Sequence, residues 1–119
     1  MPSRLKTKHK AYRFGHWAEA LALAYYRLLG YRPLARRFKT KLGEIDLVVA
    51  SRKRIIFIEV KARRGGERIF ALHPTQAERM RHAASLFLAR HPRFLLYEQR
   101  LDVVFIAPWR FPIRITNMI

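Results

Sequence analysis

Residues 43–63 read GEIDLVVASRKRIIFIEVKAR, and this stretch decides the fold. It holds two apolar segments, Glu44–Ala50 and Arg54–Ala62, which are rich in the β-branched and aromatic residues that favour strands. The polar residues 51–53 between them predict a turn, so the two strands should pair antiparallel. Residues 33–40 (PLARRFKT) predict an earlier strand, and the three strands together predict an antiparallel meander.

Helical segments lie on both sides of this meander in the chain. Residues 15–29 (GHWAEALALAYYRLL) are rich in Ala and Leu and end at Gly30, a favoured residue after a helix. Apolar side chains, Trp17 among them, cover so much of this helix that we expect most of it to be buried. Residues 75–90 predict a second helix with Thr75 as its N-cap.

The remaining segments complete a single α/β domain. Two late strands at about 100–107 and 112–117 bring the predicted order to α-β-β-β-α-β-β, with a central mixed sheet flanked by helices. We assign residues 14–119 to this domain and residues 1–13 to a basic, flexible arm. Residues 63–73 contain two glycines and predict a mobile loop.

Composition narrows the class of partner. The chain has 119 residues, 50% of them hydrophobic, which suits one domain with a real core. It has no cysteine, which excludes thiolate metal sites and thiol nucleophiles. Its 25 Lys and Arg against eight Asp and Glu leave a net charge of +17, so we expect a polyanionic partner.

That partner is expected to be nucleic acid rather than a membrane. The longest apolar run, residues 20–26, is far shorter than the roughly 20 residues of a membrane-spanning helix. The N-terminal segment is basic but lacks the apolar region of a secretory signal. We therefore expect a cytoplasmic, nucleoid-associated protein.

The few acidic residues of this basic chain carry the functional prediction. Glu44 and Asp46 lie two residues apart on one strand and should share a face, and Glu59 and Lys61 do so on the next. An ionised carboxylate in a half-buried sheet costs several kcal/mol unless it is paired or binds a metal. We place Asp46 and Glu59 toward the C-terminal ends of their strand segments, and whether they meet depends on the strand register.

The segments GEIDLVV and FIEVKAR, with Asp46 and Glu59 thirteen positions apart, resemble a known pattern. It is the D-x(n)-E-x-K core of the restriction-endonuclease-like, or PD-(D/E)xK, nucleases. The fuller pattern is similar to the YraN-like family of predicted endonucleases, relatives of archaeal-type Holliday junction resolvases. The resemblance extends from Gly-x-x-Ala-Glu at residues 15–19 to LDVV at residues 101–104.

This resemblance implies a restriction-endonuclease-like core and a metal-dependent nuclease that acts on structured or branched DNA. It implies that Asp46 and Glu59 bind Mg²⁺ or Mn²⁺, with the Val60 carbonyl as a further oxygen ligand. Lys61 would lie beside the attacking water, and Glu19 would complete the acidic cluster. Oxygen ligands of this kind suit hard divalent ions.

Three positions keep more than one interpretation. Family members often carry a lysine where this chain has Gln76, and related nucleases place a glutamine near the metal. Glu44 either joins the acidic face or forms a surface ion pair with Lys41 and Arg63. Glu19 could instead be an acid in the first turn of its helix, stabilised by the helix dipole.

Basic side chains on the first strand, on its turn and after the third strand are expected to bind phosphates without reading sequence. They are Arg36, Arg37, Lys39, Lys41, Arg63 and Arg64. The alternative function is a non-catalytic nucleic-acid-binding module, on DNA or associated with RNA or the ribosome. We expect DNA rather than RNA, and a homodimer is possible because two symmetric cuts need two sites.

Overall fold

The computed structural model describes the backbone of residues 2–63 and 73–116, and side chains from residue 15 onward within those ranges. It is an α/β fold in which two helices flank a five-stranded mixed sheet, in the predicted order. The elements are α1 (Pro2–Leu28), β1 (Arg32–Lys39), β2 (Glu44–Ala50), β3 (Arg54–Ala62), α2 (Pro74–Arg90), a 3₁₀ turn (Pro92–Phe94), β4 (Glu98–Ile106) and β5 (Ile113–Thr116).

The strands lie in the order β1-β2-β3-β4-β5 across the sheet. The pairs β1–β2, β2–β3 and β4–β5 are antiparallel, whereas β3 and β4 run parallel. A parallel pair needs a long crossover, and α2 lies within this one. The predicted meander is confirmed, and β2 and β3 have the predicted bounds.

Each helix covers one face of the sheet. On one face α1 packs its small Ala22 and its Tyr26 against Leu47 and Ile58. On the other face α2 packs residues that include Phe87 against the remaining apolar side chains of β2 and β3. The sheet therefore has its central strands buried on both faces, and polar side chains on those strands need partners.

The prediction that α1 is buried on most sides is wrong. Trp17 is 41% exposed and Leu28 is 89% exposed, although the apolar pattern placed both in buried stripes. A helix that packs on a flat sheet buries one stripe, and here Ala18, Ala22 and Tyr26 form it, each at 0% exposure. An apolar surface on α1 is left accessible as a result.

Both helix starts differ from the sequence prediction. Helix α1 begins at Pro2 rather than near residue 15, and proline fits a first helical turn because its fixed φ suits it. The flexible arm at residues 1–13 stays a prediction. The N-cap of α2 is His73, not Thr75: its Nδ1 accepts a hydrogen bond from the Thr75 N–H at 3.1 Å. Most of the predicted loop at 63–73 lies outside the described residues.

The sheet is irregular where the acids lie. Along β2, Ile45 and Val48 both pack toward α2 while Leu47 packs toward α1, so strict alternation breaks at Asp46. In a regular strand Ile45 and Leu47 would share a face. The β2–β3 ladder ends at the pair Leu47 and Ile58, so the two strands stop pairing just before Asp46 and Glu59.

Candidate active site

Asp46 and Glu59 meet where β2 and β3 separate. Asp46 lies near the start of β2, not toward its end as expected, and this places it across from Glu59 near the end of β3. The two carboxyl groups lie close enough for each to affect the ionisation of the other. Asp46 Oδ2 also accepts a hydrogen bond from the Val60 backbone N–H at 2.7 Å. Asp46 thus occupies the position that β2 would otherwise fill in the ladder.

Gln76 on α2 links the two functional groups of β3. Its Nε2 donates to Glu59 Oε1 at 2.6 Å, and its Oε1 accepts from Lys61 Nζ at 2.9 Å. Lys61 Nζ also lies 3.3 Å from Glu59 Oε1. The three side chains form a closed triangle that fixes the Lys61 ammonium beside the Glu59 carboxylate. The structure therefore brings Asp46, Glu59, Lys61 and Gln76 together.

Both carboxyl groups hold their protons more tightly than usual. Burial, and then the charge of Asp46, raises the pKa of Glu59 to about 8, although Lys61 partly offsets this. Burial also raises the pKa of Asp46, against the hydrogen bond from Val60, and Glu19 and Glu44 add to the rise. Both shifts oppose ionisation of the two acids, and a divalent cation bound between them would favour their ionised forms.

Glu19 reaches the same region from α1 but is held by a cation of the chain. Its Oε2 lies 3.1 Å from Arg37 Nη2, and the Arg37 guanidinium also contacts the His16 imidazole. Glu19 lines a cleft of about 370 Å³ together with Asp46 and Lys39. Because α1 begins at Pro2, Glu19 is not in a first turn, and the helix-dipole interpretation is wrong.

A metal ion at this site would have two carboxylates of the chain, not three, as its acidic ligands. Within residues 15–63 and 73–116, no group of three or more Asp, Glu or His side chains is arranged to hold a metal. Asp46 and Glu59 are the pair that shares a contact, and Glu19 faces them across its cleft. Two carboxylates with water and substrate oxygens are a usual Mg²⁺ environment.

A second and larger cleft of about 570 Å³ lies on the α2 side of Glu59. Its polar lining residues are Thr40, Lys41, Glu44, Glu59, His73, Thr75, Gln76 and Arg79. Glu44 lines this cleft and the Glu19 cleft, so the two form one trough across the acidic pair. No ion pair of Glu44 occurs among the described side chains, which argues against the surface ion pair.

The turn between β1 and β2 fits closely against α2 at the edge of this trough. A Cβ on Gly43 would lie 2.2 Å from the Arg79 carbonyl oxygen, so only glycine allows this approach. Sequence reasoning missed Arg79 as a lining residue. Its position one helical turn after Gln76 is the signal that would have found it, because residues three apart share a helix face.

The predicted phosphate-binding residues lie in different environments. Lys39 and Lys41 line the trough, and Arg36 is exposed on β1. Arg37 is paired with Glu19. Arg63 lies over the Phe105 ring at 5.3 Å, and Arg64 lies outside the described residues.

Asp102, the acid in LDVV, has a structural role away from this site. It is fully buried on β4, where it accepts hydrogen bonds from Arg100 at 2.9 Å and from the Tyr26 hydroxyl at 2.6 Å. Burial and the hydrogen bond to Asp102 raise the pKa of Tyr26 well above its ordinary value. The triad ties α1 to β4 and does not line the trough.

Fold and contacts together define a class of protein: an α/β domain with a D-x(n)-E-x-K group at one edge of its mixed sheet. The model of the family described as "Uncharacterised protein family UPF0102" matches residues 18–106. The chain belongs to this family, the YraN-like family, as the sequence predicted.

Close relatives match over most of their length. A UPF0102 protein of Mesorhizobium japonicum is 41% identical over 112 residues, covering 93% of this chain and 90% of the relative. One of Parvibaculum lavamentivorans is 48% identical over 103 residues, covering 86% and 77%. One of Rhodopseudomonas palustris is 44% identical, covering 90% of both chains. The described helices of this chain include none that could span a membrane.

Proposed function

We propose that this protein is a metal-dependent nuclease that hydrolyses phosphodiester bonds in structured or branched DNA. One observation carries the proposal: the half-buried carboxyl group of Asp46 and the buried carboxyl group of Glu59 interact where β2 and β3 separate, with Lys61 Nζ 3.3 Å from Glu59 Oε1. Two acids this close repel each other when both are ionised, and a divalent cation between them would relieve that repulsion.

The donor set fits Mg²⁺ or Mn²⁺. Asp46 and Glu59 would hold the ion, which would offset the burial and the mutual repulsion that raise the pKa of both acids. The Val60 N–H points to Asp46. In a strand the N–H and the C=O of one residue point to the same side, so the Val60 carbonyl oxygen should also face Asp46. This direction supports the Val60 oxygen as a metal ligand. When bound, the ion supplies a more acidic water and charge stabilisation of the phosphoryl oxygens.

Lys61 and Gln76 would act on the water and on the phosphate. Gln76 accepts a hydrogen bond from Lys61 and donates one to Glu59, so it holds the ammonium in one orientation. From there Lys61 can orient the attacking water or stabilise the charge that develops on the phosphate. Asp46 and Glu59 bind and do not transfer a proton in this scheme.

The trough and the net charge support nucleic acid as the substrate. Lys39 and Arg37 lie on one side of the acidic pair, and Lys41 and Arg79 on the other. A strand placed across the pair would meet cations before and after its scissile phosphate. A DNA substrate implies a cytoplasmic, nucleoid-associated protein, and paired cuts in a junction would require a homodimer.

Incubation with labelled DNA and RNA substrates, among them junctions, flaps, single strands and duplexes, tests the proposal with and without Mn²⁺. We expect Mn²⁺-dependent cleavage of branched DNA that falls by at least about a hundredfold in Asp46→Asn. Glu98→Gln is the matched control, because Glu98 is an exposed acid paired with Arg54 away from the trough.

Cleavage that persists in Asp46→Asn would contradict the proposed site. Binding without cleavage of any substrate, in wild type and with either metal, would favour the non-catalytic nucleic-acid-binding module on DNA or RNA.

A further inference from the structure

An exposed aromatic surface lies between α1 and the segment that joins β4 to β5. It consists of Trp17 and Leu21 on α1 and Trp109, Arg110 and Phe111 between β4 and β5, around a hollow of about 300 Å³. We call it the aromatic platform. Trp109 is fully exposed and Phe111 is 92% exposed. Large exposed aromatics in one patch mark a binding surface rather than ordinary surface composition.

The backbone of the platform presents Trp109 outward. Trp109 has φ of 64°, in the left-handed region that bulky residues rarely adopt. Contacts with the described part of the chain do not bury the Trp109 side chain, so burial does not offset this strain. Strain at an exposed aromatic side chain is typical of a residue that serves a ligand.

The platform lies at the same end of the sheet as the acidic pair. Strands β3 and β4 are parallel, with Glu59 beside Val103 and Ala62 beside Ile106, so both end at this edge. Trp109 follows six residues after Val103, which places it within roughly 25 Å of Glu59. A strand of about seven nucleotides spans that distance at 3.4 Å per nucleotide.

Helix α1 lies between the platform and the cleft that holds Asp46. Trp17 lines the platform and Glu19 lines the cleft, and residues two apart lie on different sides of a helix. A substrate that occupies both sites must therefore pass around α1. The chain's charge of +17 and the guanidinium of Arg110 suit a polyanion that presents flat apolar rings.

We infer that the aromatic platform binds unpaired nucleotide bases by stacking them on Trp109 and Phe111, with Arg110 on an adjacent phosphate. This inference deepens the proposed function and rests on it for the cleavage step, since it selects substrates with unpaired bases near the cut. Stacking on aromatic side chains tolerates any base, because every base has a flat π face. Paired bases inside a duplex are excluded because their faces are already covered.

Two oligonucleotides of equal charge test the platform. A single strand of about 16 thymidines and an abasic strand with the same number of phosphates are titrated by fluorescence anisotropy, in EDTA to prevent cleavage. We expect wild type to bind the thymidine strand about tenfold or more tightly than the abasic strand. Both tryptophans of the chain lie in the platform, so thymidine, but not the abasic strand, should also quench their fluorescence.

The double variant Trp109→Ala/Phe111→Ala should bind both strands equally, with its affinity for the abasic strand unchanged. Both residues are nearly fully exposed, so the fold does not depend on them. The matched control is Leu95→Ala/Leu96→Ala, an exposed apolar pair that precedes the opposite end of β4 and should keep the preference.

Equal binding of both strands by wild type, or a preference that survives in the double variant, would overturn the inference. So would a wild-type dimer that becomes a monomer in the double variant without any base preference, because a second copy would then be the occupant. A base preference together with no cleavage of any substrate would leave the platform standing and overturn the nuclease. Failure to bind either strand would overturn the platform, and cleavage of branched DNA would then still support the nuclease.

Discussion

Glu59 lies between two hydrogen-bond donors and a second carboxyl group, so its protonation is coupled to folding. Its pKa rises from 4.5 to about 8 on folding, first because of burial and then because of Asp46. Between these values the folded protein keeps a proton that the unfolded chain has lost. Stability without metal should therefore be highest below about pH 4.5, as far as Glu59 is concerned, and should fall as the pH rises toward 8.

Glu59→Gln should flatten this part of the stability profile, because an amide cannot ionise but still accepts the Gln76 hydrogen bond. Urea unfolding in EDTA across the window from about pH 4.5 to 8 measures it. Glu78→Gln, an exposed acid on α2, should keep the wild-type slope. A wild-type stability that rises across this window would contradict the account.

In the proposed mechanism Gln76 holds Lys61 in place through its hydrogen bond to the ammonium group. Gln76→Ala should lower the cleavage rate by about 10–100-fold, because Lys61 loses the partner that orients it. Its binding of DNA should change little. Steady-state cleavage assays compare it with Gln99→Ala, an exposed glutamine on β4. Equal rates for the two variants would show that Gln76 does not position Lys61.

At the scale of elements, the turn between β1 and β2 sets the distance from the sheet to α2. Gly43→Ala should destabilise the fold by about 1–3 kcal/mol, because its Cβ would lie 2.2 Å from the Arg79 carbonyl oxygen. Gly15→Ala is the control: a Cβ there meets nothing within 4 Å, and alanine favours a helix. Thermal unfolding measures both, and equal effects would contradict the close approach.

Strand β1 is distorted at Arg37, which has φ of 52°. Arg37→Gly should be more stable than Arg37→Ala by about 1 kcal/mol, because glycine adopts this conformation without strain. Both variants lose the partly exposed ion pair with Glu19, so that loss cancels in the comparison. Urea unfolding of the two variants checks it, and equal stabilities would mean that the distortion carries no strain.

The elements were predictable where local pattern alone decides them. The β-branched segments on both sides of residues 51–53 predicted β2 and β3 to the residue, and their contrast with the helical segments predicted the order. The packing of these elements against one another was not predictable from local pattern. The apolar pattern of α1 did not reveal that the sheet would bury Tyr26 and leave Trp17 exposed. His73 caps α2 with its ring, a role that Thr75 fits better by propensity.

The candidate site was predictable as a set of residues but not as a geometry. The D-x(n)-E-x-K spacing identified Asp46, Glu59 and Lys61. It did not reveal that Asp46 would replace β2 in bonding Val60, since this depends on where the ladder ends. The pairing of Glu19 with Arg37 joins residues 18 positions apart, and only packing of α1 beside β1 creates it.

For the whole molecule, the charge of +17 predicts binding to nucleic acid that weakens steeply with salt. Lys41→Ala should reduce the slope of log K against log salt by about 1, because Lys41 lines the trough. Lys53→Ala, in the turn at the far end of β2, should leave the slope unchanged. Anisotropy titrations at several salt concentrations test this. Equal slopes for the two variants would show that the trough is not part of the surface that binds nucleic acid.

The central claim is that Asp46 and Glu59 form a divalent-metal site, and thermal unfolding with and without Mn²⁺ tests it most directly. Metal at a hundredfold excess over its dissociation constant should stabilise wild type by about 2.7 kcal/mol. Asp46→Asn, which can still accept the Val60 hydrogen bond, should unfold at the same temperature with and without the metal, whereas Glu98→Gln should respond as wild type does. A wild-type protein whose unfolding is unchanged by millimolar Mn²⁺ and Mg²⁺ would contradict the claim.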